Sequence, residues 1–253
     1  MTHFVYVYSA MTPIWEELKF SCMSILKYYQ GKYKIYIVGD KPPFRGPYTF
    51  IPHIAIHHKL HAKAFDSVSK LRLITERSDI NDEFVYMYDD QVFLKDFWYS
   101  FINQPIAHDE VIGDPGEYFG KSGRIPSPRW KKLFYTTFNA LRSHGLPTWN
   151  YETHAPKIFR KKEILEVIEK FRPDRVPMLF NSLYTNYVYE KPYCTLKDKP
   201  DFIIGIHNPR PIEWLDKHIK EQLLLNFDDV GLNKHLKVVI KEKVGRNVKI
   251  PRR

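Results

Sequence analysis

A strand, a helix and a second strand follow one another within the first 40 residues, and that order narrows the folds open to the chain more than any other feature. His3-Phe4-Val5-Tyr6-Val7-Tyr8 is a run of aromatic and β-branched residues suited to a strand. Residues 13–26 have helical spacing, with Thr12 as N-cap and Pro13 at the first helical position. Tyr33-Lys34-Ile35-Tyr36-Ile37-Val38 is a second strand that stops at Gly39-Asp40. Such a βαβ unit predicts a mostly parallel sheet with right-handed crossovers, flanked by helices. Ligands of open parallel sheets bind at the carboxyl ends of the strands, which is where Tyr8-Ser9 and Gly39-Asp40 stand.

Further along, residues 66–76 read as a helix carrying Lys70 and Arg72, and Phe84-Val85-Tyr86-Met87-Tyr88 as a buried strand that runs into Asp89-Asp90-Gln91. Residues 105–135 are rich in Gly, Pro and charge, and predict a long loop or lid. Helices are expected near 130–144, over 160–171 and near 178–188, followed by a short strand, Phe202-Ile203-Ile204-Gly205-Ile206, that ends in His207-Asn208. From about Ile212 the chain reads as helical and then basic. It has no internal repeat.

Two carboxylates where a parallel strand ends repel each other, and a cation between them relieves that repulsion, so Asp89-Asp90 points to a divalent metal. His57, His58 and His61 carry no such signal: lysines 59 and 63 add like charge, and a surface patch is the better reading.

The formal charge of +10 is concentrated in residues 234–253, where eight Lys and Arg stand against Glu242 for a net +7. Leu232, Leu236, Val239, Ile240 and Val244 are helically spaced there. The segment is therefore either an amphipathic basic helix suited to a phosphate backbone or an anionic lipid surface, or a solvated helix closing the domain. The N-terminus lacks the features of a signal peptide, no apolar stretch approaches a membrane span, and the only cysteines, Cys22 and Cys194, are far apart in sequence. These features predict a cytoplasmic protein, or one attached at the inner membrane surface.

Three segments together resemble the nucleotide-sugar glycosyltransferases of the GT-A fold, and more narrowly the phage and bacterial proteins related to the Stealth-type capsular sugar-phosphate transferases. They are Leu18–Ile25 followed by Lys34–Asp40, then Asp82–Leu94, then Tyr151-Glu152-Thr153-His154-Ala155-Pro156-Lys157-Ile158. The departure from the family lies at the acids, where Tyr88 replaces a family asparagine and the D-x-D spacing is met only as Asp89-Asp90-Gln91.

The resemblance implies an α/β, GT-A-like (Rossmann-like) catalytic domain over residues 1–211, with a donor half over 1–104 and an acceptor half over 105–211. A helical basic extension would follow over 212–253. It also implies a Mn²⁺- or Mg²⁺-dependent transfer of a hexose or pentose from a UDP- or GDP-sugar to an acceptor hydroxyl. The metal contacts are then Asp89, Asp90 and His207. Tyr8, Ser9, Asp40 and Asp89 face the nucleoside, and Lys70 or Arg72 the phosphates. Glu152 and His154 are candidates for base and positioning group at the acceptor, reading equally as a surface acid and a helix cap, and Asp114 is a second candidate base for which a turn aspartate is the better reading. Trp130 and Trp149 flank this region and read equally as residues that stack on a sugar or base and as core packing.

A hydroxymethylated pyrimidine in phage DNA is the expected acceptor, reached by base flipping and favoured by the basic tail. The alternatives are a cell-surface glycan transferase, a sugar-1-phosphate transferase, and a non-catalytic nucleic-acid or glycan-binding module.

Overall fold

The computed structural model describes residues 1–10, 15–56, 61–119 and 127–245. In chain order its elements are β1 (Thr2–Tyr8), α1 (Glu17–Tyr28), β2 (Tyr33–Gly39), β3 (Thr49–Pro52), α2 (Ala62–Thr75), β4 (Glu83–Met87), β5 (Gln91–Phe93), α3 (Tyr99–Ile102), β6 (Ile106–Ala107) and α4 (Pro128–Ser143). They continue with β7 (Lys157–Arg160), α5 (Lys161–Phe171), α6 (Phe180–Val188), β8 (Cys194–Thr195), β9 (Ile203–Ile206), α7 (Ile212–Ile219), β10 (Leu224–Phe227) and α8 (Lys234–Ile240).

The central sheet has five strands in the order β3-β2-β1-β4-β7. The first four are mutually parallel and β7 closes the edge antiparallel to β4. This is the mostly parallel, helix-flanked α/β architecture expected. β1 and β2 run level from Thr2↔Tyr33 to Tyr8↔Gly39, so their carboxyl ends share one edge. Alternate residues of β1 face opposite sides: Val5 joins the core formed by α2, α4, α5 and α6, whereas Phe4, Tyr6 and Tyr8 join the core beneath α1. A sheet buried on both faces explains why β1, β2 and β4 read as nearly continuous apolar runs.

α1 lies between two sheets. Leu18, Cys22 and Ile25 pack on the central sheet, while Phe20 and Met23 pack on the smaller sheet β5-β10-β9. Its serines join the two layers: Ser21 Oγ is 2.8 Å from the Tyr6 hydroxyl and donates to the Tyr88 carbonyl at 3.5 Å, and Ser24 Oγ accepts from Phe93 N at 3.0 Å. These bonds hold both ends of the turn that carries Asp89 and Asp90.

Several expectations change. α1 starts at Glu17 rather than at residue 13, and the Thr12–Pro13 cap, like His57 and His58, lies outside the described residues. The helix expected over 160–171 runs from Lys161 to Phe171, and the strand β7 immediately before it, Lys157–Arg160, is an addition. The stretch from 212 onward is not simply helical: it supplies β10, the middle strand of the small sheet, paired to both β5 and β9. The expected division at 211/212 therefore falls between two strands that pair.

Leu232, Leu236, Val239, Ile240 and Val244 are all buried, packed with Phe20 and Met23 in one core cluster. The apolar stripe of the C-terminal helix thus faces the protein's own core, which corrects the expectation of an amphipathic helix free to lie on a membrane; residues 246–253 lie outside the described set. No helix among the described residues is long and apolar enough to cross a membrane.

Candidate active site

The strand ends that meet at one edge of the central sheet carry Asp40, Asp89 and Asp90. Asp89 and Asp90 follow β4 in a tight turn that feeds β5. Gln91, fully buried, locks this turn: its Oε1 accepts from Tyr88 N at 3.1 Å and its Nε2 donates to the His154 carbonyl. Gln91 is therefore a bolt rather than a ligand, and the acids available to a cation are the adjacent pair.

Asp90 Oδ1 is buried with no hydrogen-bond partner. Burial, and then the Asp90 charge, pushes the Asp89 carboxyl up to about 6. An orphaned carboxylate oxygen beside a second, desolvated carboxylate is the arrangement that a divalent cation relieves, so these residues fit one. Among the described residues no three His, Cys, Asp or Glu side chains gather as a ligand set.

His207 is not gathered with the acids. The register places Gln91, Asn226 and Gly205 level across β5, β10 and β9, so His207 stands two strands away from the acid turn, about 9–10 Å of sheet. Its Nδ1 pairs with Asp228 Oδ2 at 2.9 Å.

The histidine beside the acids is His154. Its Nδ1 lies 3.3 Å from Asp90 Oδ2 and 3.3 Å from Asn226 Nδ2, and its ring stacks on Tyr88 at 5.0 Å. Burial works to lower its pKa, but the hydrogen bond and charge of Asp90, with Glu152, outweigh it and the net shift is upward. His154 has a left-handed backbone, φ 48°, a conformation that non-glycine residues hold only where the surroundings impose it. Those surroundings include the Gln91 bolt and Thr153, whose Oγ1 donates to the Ile106 carbonyl at 3.2 Å and accepts from the buried Lys157 at 2.7 Å. Burial lowers the Lys157 ammonium to about 8, with the Glu152 charge acting the other way.

Glu152 is committed elsewhere. Its Oε1 accepts from Ser182 N at 3.0 Å and Ser182 Oγ at 2.9 Å, and its Oε2 from Asn181 Nδ2 at 3.3 Å, so it satisfies donors in the first turn of α6. A carboxylate held by three donors positions that helix; it is a poor general base.

Lys70 is fully buried, donating to the Tyr8 carbonyl at 2.8 Å and paired with Asp66. Its ammonium sits against Gly39, where φ is +132° and a Cβ would meet the Tyr8 carbonyl at 2.0 Å. Lys70 thus fastens β1 and β2 together from below, with no cation to spare for a phosphate. Arg72 is exposed, and its charge acts on Asp174 rather than on the acid turn.

The cation whose charge does reach Asp89 is Lys63, exposed in the first turn of α2. Asp40 Oδ2 accepts from Ala10 N at 2.8 Å, and burial, followed by the charges of Asp89 and Asp40, pushes the Tyr8 phenol up to about 12. Tyr8 and Asp40 therefore stand at the same edge as the acids, as does Ser9 between them in the β1 exit. Asp114 is exposed in a turn, its Oδ1 accepting from Gly116 N, which is the turn-aspartate alternative. Sequence reasoning missed Gln91, Asn181, Asn226 and Lys63; the three amides carry no charge pattern, and a lone helix lysine looks like any solvated one.

No protein-family model matches the chain, and no curated protein matches it. Solved structures do. The apo structure of WbbM, a bifunctional glycosyltransferase, superposes on 97% of this chain with a TM-score of 0.54 at 12% identity, and this chain spans 50% of its length. An active-site mutant of LgtC superposes on 99% of this chain and 98% of its own, with a TM-score of 0.53 at 11% identity. The galactosyltransferase LgtC in complex with donor and acceptor sugar analogues covers the same shares, at 0.51 and 10%. These similarities establish the GT-A-like glycosyltransferase fold.

Proposed function

We propose that the chain is a metal-dependent glycosyltransferase that moves a sugar from a nucleotide-sugar donor to a hydroxyl of a saccharide acceptor. The observation that carries this reading is the acid turn at the sheet edge, with Asp90 Oδ1 unpaired and Asp89 pushed up by burial, on a fold similar to solved glycosyltransferases.

Asp89 and Asp90 would hold Mn²⁺ or Mg²⁺. Once bound, that cation neutralises the charge that builds on a nucleoside diphosphate as it leaves. Lys63 adds a second positive charge at the mouth of the site, and Asp40, Tyr8 and Ser9 receive the nucleoside. His154 is half-exposed and hydrogen-bonded through Nδ1, with no Nε2 partner among the described residues, so Nε2 is the atom to take the proton of an acceptor hydroxyl. Asn181, between Glu152 and the Tyr88 hydroxyl, lines the same side and would orient that hydroxyl. His207, paired with Asp228 on the neighbouring ledge, would contact the diphosphate only after leaving Asp228.

A saccharide acceptor is preferred over hydroxymethylated DNA because the described part of the basic segment is folded into the body, and because LgtC was solved with an acceptor sugar analogue. The test is a mass-spectrometric screen of UDP- and GDP-sugars with Mn²⁺, offered oligosaccharides, plain DNA and hydroxymethylated DNA, with Asp90→Asn as control. Metal-dependent addition of a hexose or pentose mass to an oligosaccharide is the expected result. Addition to hydroxymethylated DNA restores the nucleic-acid acceptor, and a sugar-phosphate mass moves the reading to the sugar-1-phosphate transferases. No donor loss leaves a binding module.

A further inference from the structure

The start of α4 combines two features that its own fold does not explain. Its first turn contains no acid, while Arg129, Lys131 and Lys132 crowd the positive end of the helix dipole, where cations are disfavoured. Neither lysine ammonium has an acidic partner among the described residues, and both side chains are exposed. Beside them lies a surface cavity of about 300 Å³ lined by Pro115, Gly116, Phe119, Lys131, Lys132 and Tyr135. Tyr135 is 49% exposed there, an aromatic face left at the surface next to the two lysines. Asp114 Oδ1 accepts from the N–H of Gly116, which lines the cavity.

The cavity is joined to the candidate site by hydrogen bonds. Tyr118, adjacent to the lining residue Phe119, bonds Asp109 and accepts from Asn150 Nδ2 at 3.0 Å; Asn150 Oδ1 in turn accepts from Glu152 N at 3.1 Å. Glu152 then reaches Asn181, beside His154. The segment that carries the cavity is thus tied by hydrogen bonds to the Glu152 loop of the candidate site.

We propose that this cavity binds an acidic sugar unit of the acceptor, its ring on the Tyr135 face and its carboxylate or phosphate between Lys131 and Lys132. Aromatic faces hold sugar rings by their apolar C–H surface, and the two lysine ammoniums hold the anion. A long polyanion such as DNA fits less well, because Asp114 and Glu117 lie on the segment that lines the cavity and would repel further phosphates. The inference rests on the saccharide-acceptor reading, but binding here is measurable without any transfer.

Trp130 packs on Phe119 at 5.2 Å and so reports on the cavity. The experiment titrates the full chain, at physiological salt and without donor or metal, and follows tryptophan fluorescence with Trp130→Phe as the silent control. The probes are a hyaluronan tetrasaccharide, neutral maltotetraose, inorganic phosphate and a single-stranded DNA 12-mer. The expected result is at least about tenfold tighter binding of the hyaluronan tetrasaccharide than of maltotetraose or phosphate. That preference should be lost in Lys131→Gln/Lys132→Gln and weakened in Tyr135→Ala, with unfolding midpoints unchanged because all three side chains are exposed.

Equal binding of acidic and neutral sugars, an unaffected double variant, phosphate binding as tightly as the tetrasaccharide, or the DNA probe binding more tightly than the tetrasaccharide would each overturn the proposal. Loss of this binding with sugar transfer intact sinks the cavity alone. Absence of transfer with binding intact sinks the glycosyltransferase reading and leaves an acidic-saccharide site.

Discussion

Two buried charge clusters stand at the same sheet edge, and they are built to opposite rules. Under β1 and β2, Lys70 is matched by Asp66 and by the Tyr8 carbonyl, and Asp66 Oδ1 also accepts from Ile56 N at 3.1 Å. After β4, Asp89 and Asp90 share like charge, with one oxygen left unpaired and one carboxyl shifted upward. A buried charge with its partner supplied serves architecture; a carboxylate oxygen with no partner among the described residues is what an added cation would satisfy. The contrast separates the residues that hold the site from those that act in it.

The largest effect that tests this contrast belongs to the matched cluster. Lys70→Met leaves Asp66 buried without its cation and should cost about 3–5 kcal/mol in denaturant unfolding. A Lys70→Met protein as stable as the parent but unable to bind donor would move Lys70 from the scaffold to the site. Next comes Asp90→Asn, which should lower metal-dependent transfer by about 100-fold or more with little change in unfolding midpoint; retained turnover with retained metal dependence would remove the acid turn from the chemistry.

Asp89→Asn should act on stability in the unexpected direction. The folded chain keeps the Asp89 proton up to about pH 6, and the unfolded chain releases it in the ordinary carboxylate range. The group therefore stabilises the fold fully below about pH 4 relative to neutral pH, and that contribution is lost as the pH rises through 6. At pH 7.5 without metal, the neutral amide should raise stability by about 1–3 kcal/mol while abolishing transfer. A destabilised Asp89→Asn protein would contradict the unpaired-charge account. Smallest is Asp114→Asn, expected within about 0.5 kcal/mol of the parent and with unchanged turnover; a marked loss of turnover would return Asp114 to the candidate bases.

Much of this contrast was legible in the sequence, but not which cluster was which. The βαβ opening and the acids after β4 stand out because apolar runs and adjacent carboxylates are local signals. Lys70 and Arg72 read alike as helix cations, yet residues two apart on a helix face different sides, and only the packing reveals that one lies under Gly39 and the other toward Asp174. β7 was hidden because Lys157-Ile158-Phe159-Arg160 runs into α5 with no glycine or proline to mark a boundary. β10, four residues long, is too short to show a period of its own. Asn226 and Gln91 are uncharged amides whose roles arise only from pairing across strands. His207 is the converse case: a strand-end histidine is a strong local signal, and the register sets it two strands from the acid turn, paired with Asp228.

The position of β10 between β5 and β9 also has a temporal side. Every strand of the five-stranded sheet has been synthesised by Arg160, whereas the small sheet waits for Phe227, a further 67 residues. At cellular rates of translation that interval lasts roughly 3 to 13 seconds. During it the nascent chain can close its central sheet while Asp90 and His154 still lack Asn226, so the acid turn stays unfinished on the ribosome. The order of synthesis itself delays the completion of the charged acid turn until the scaffold around it is in place.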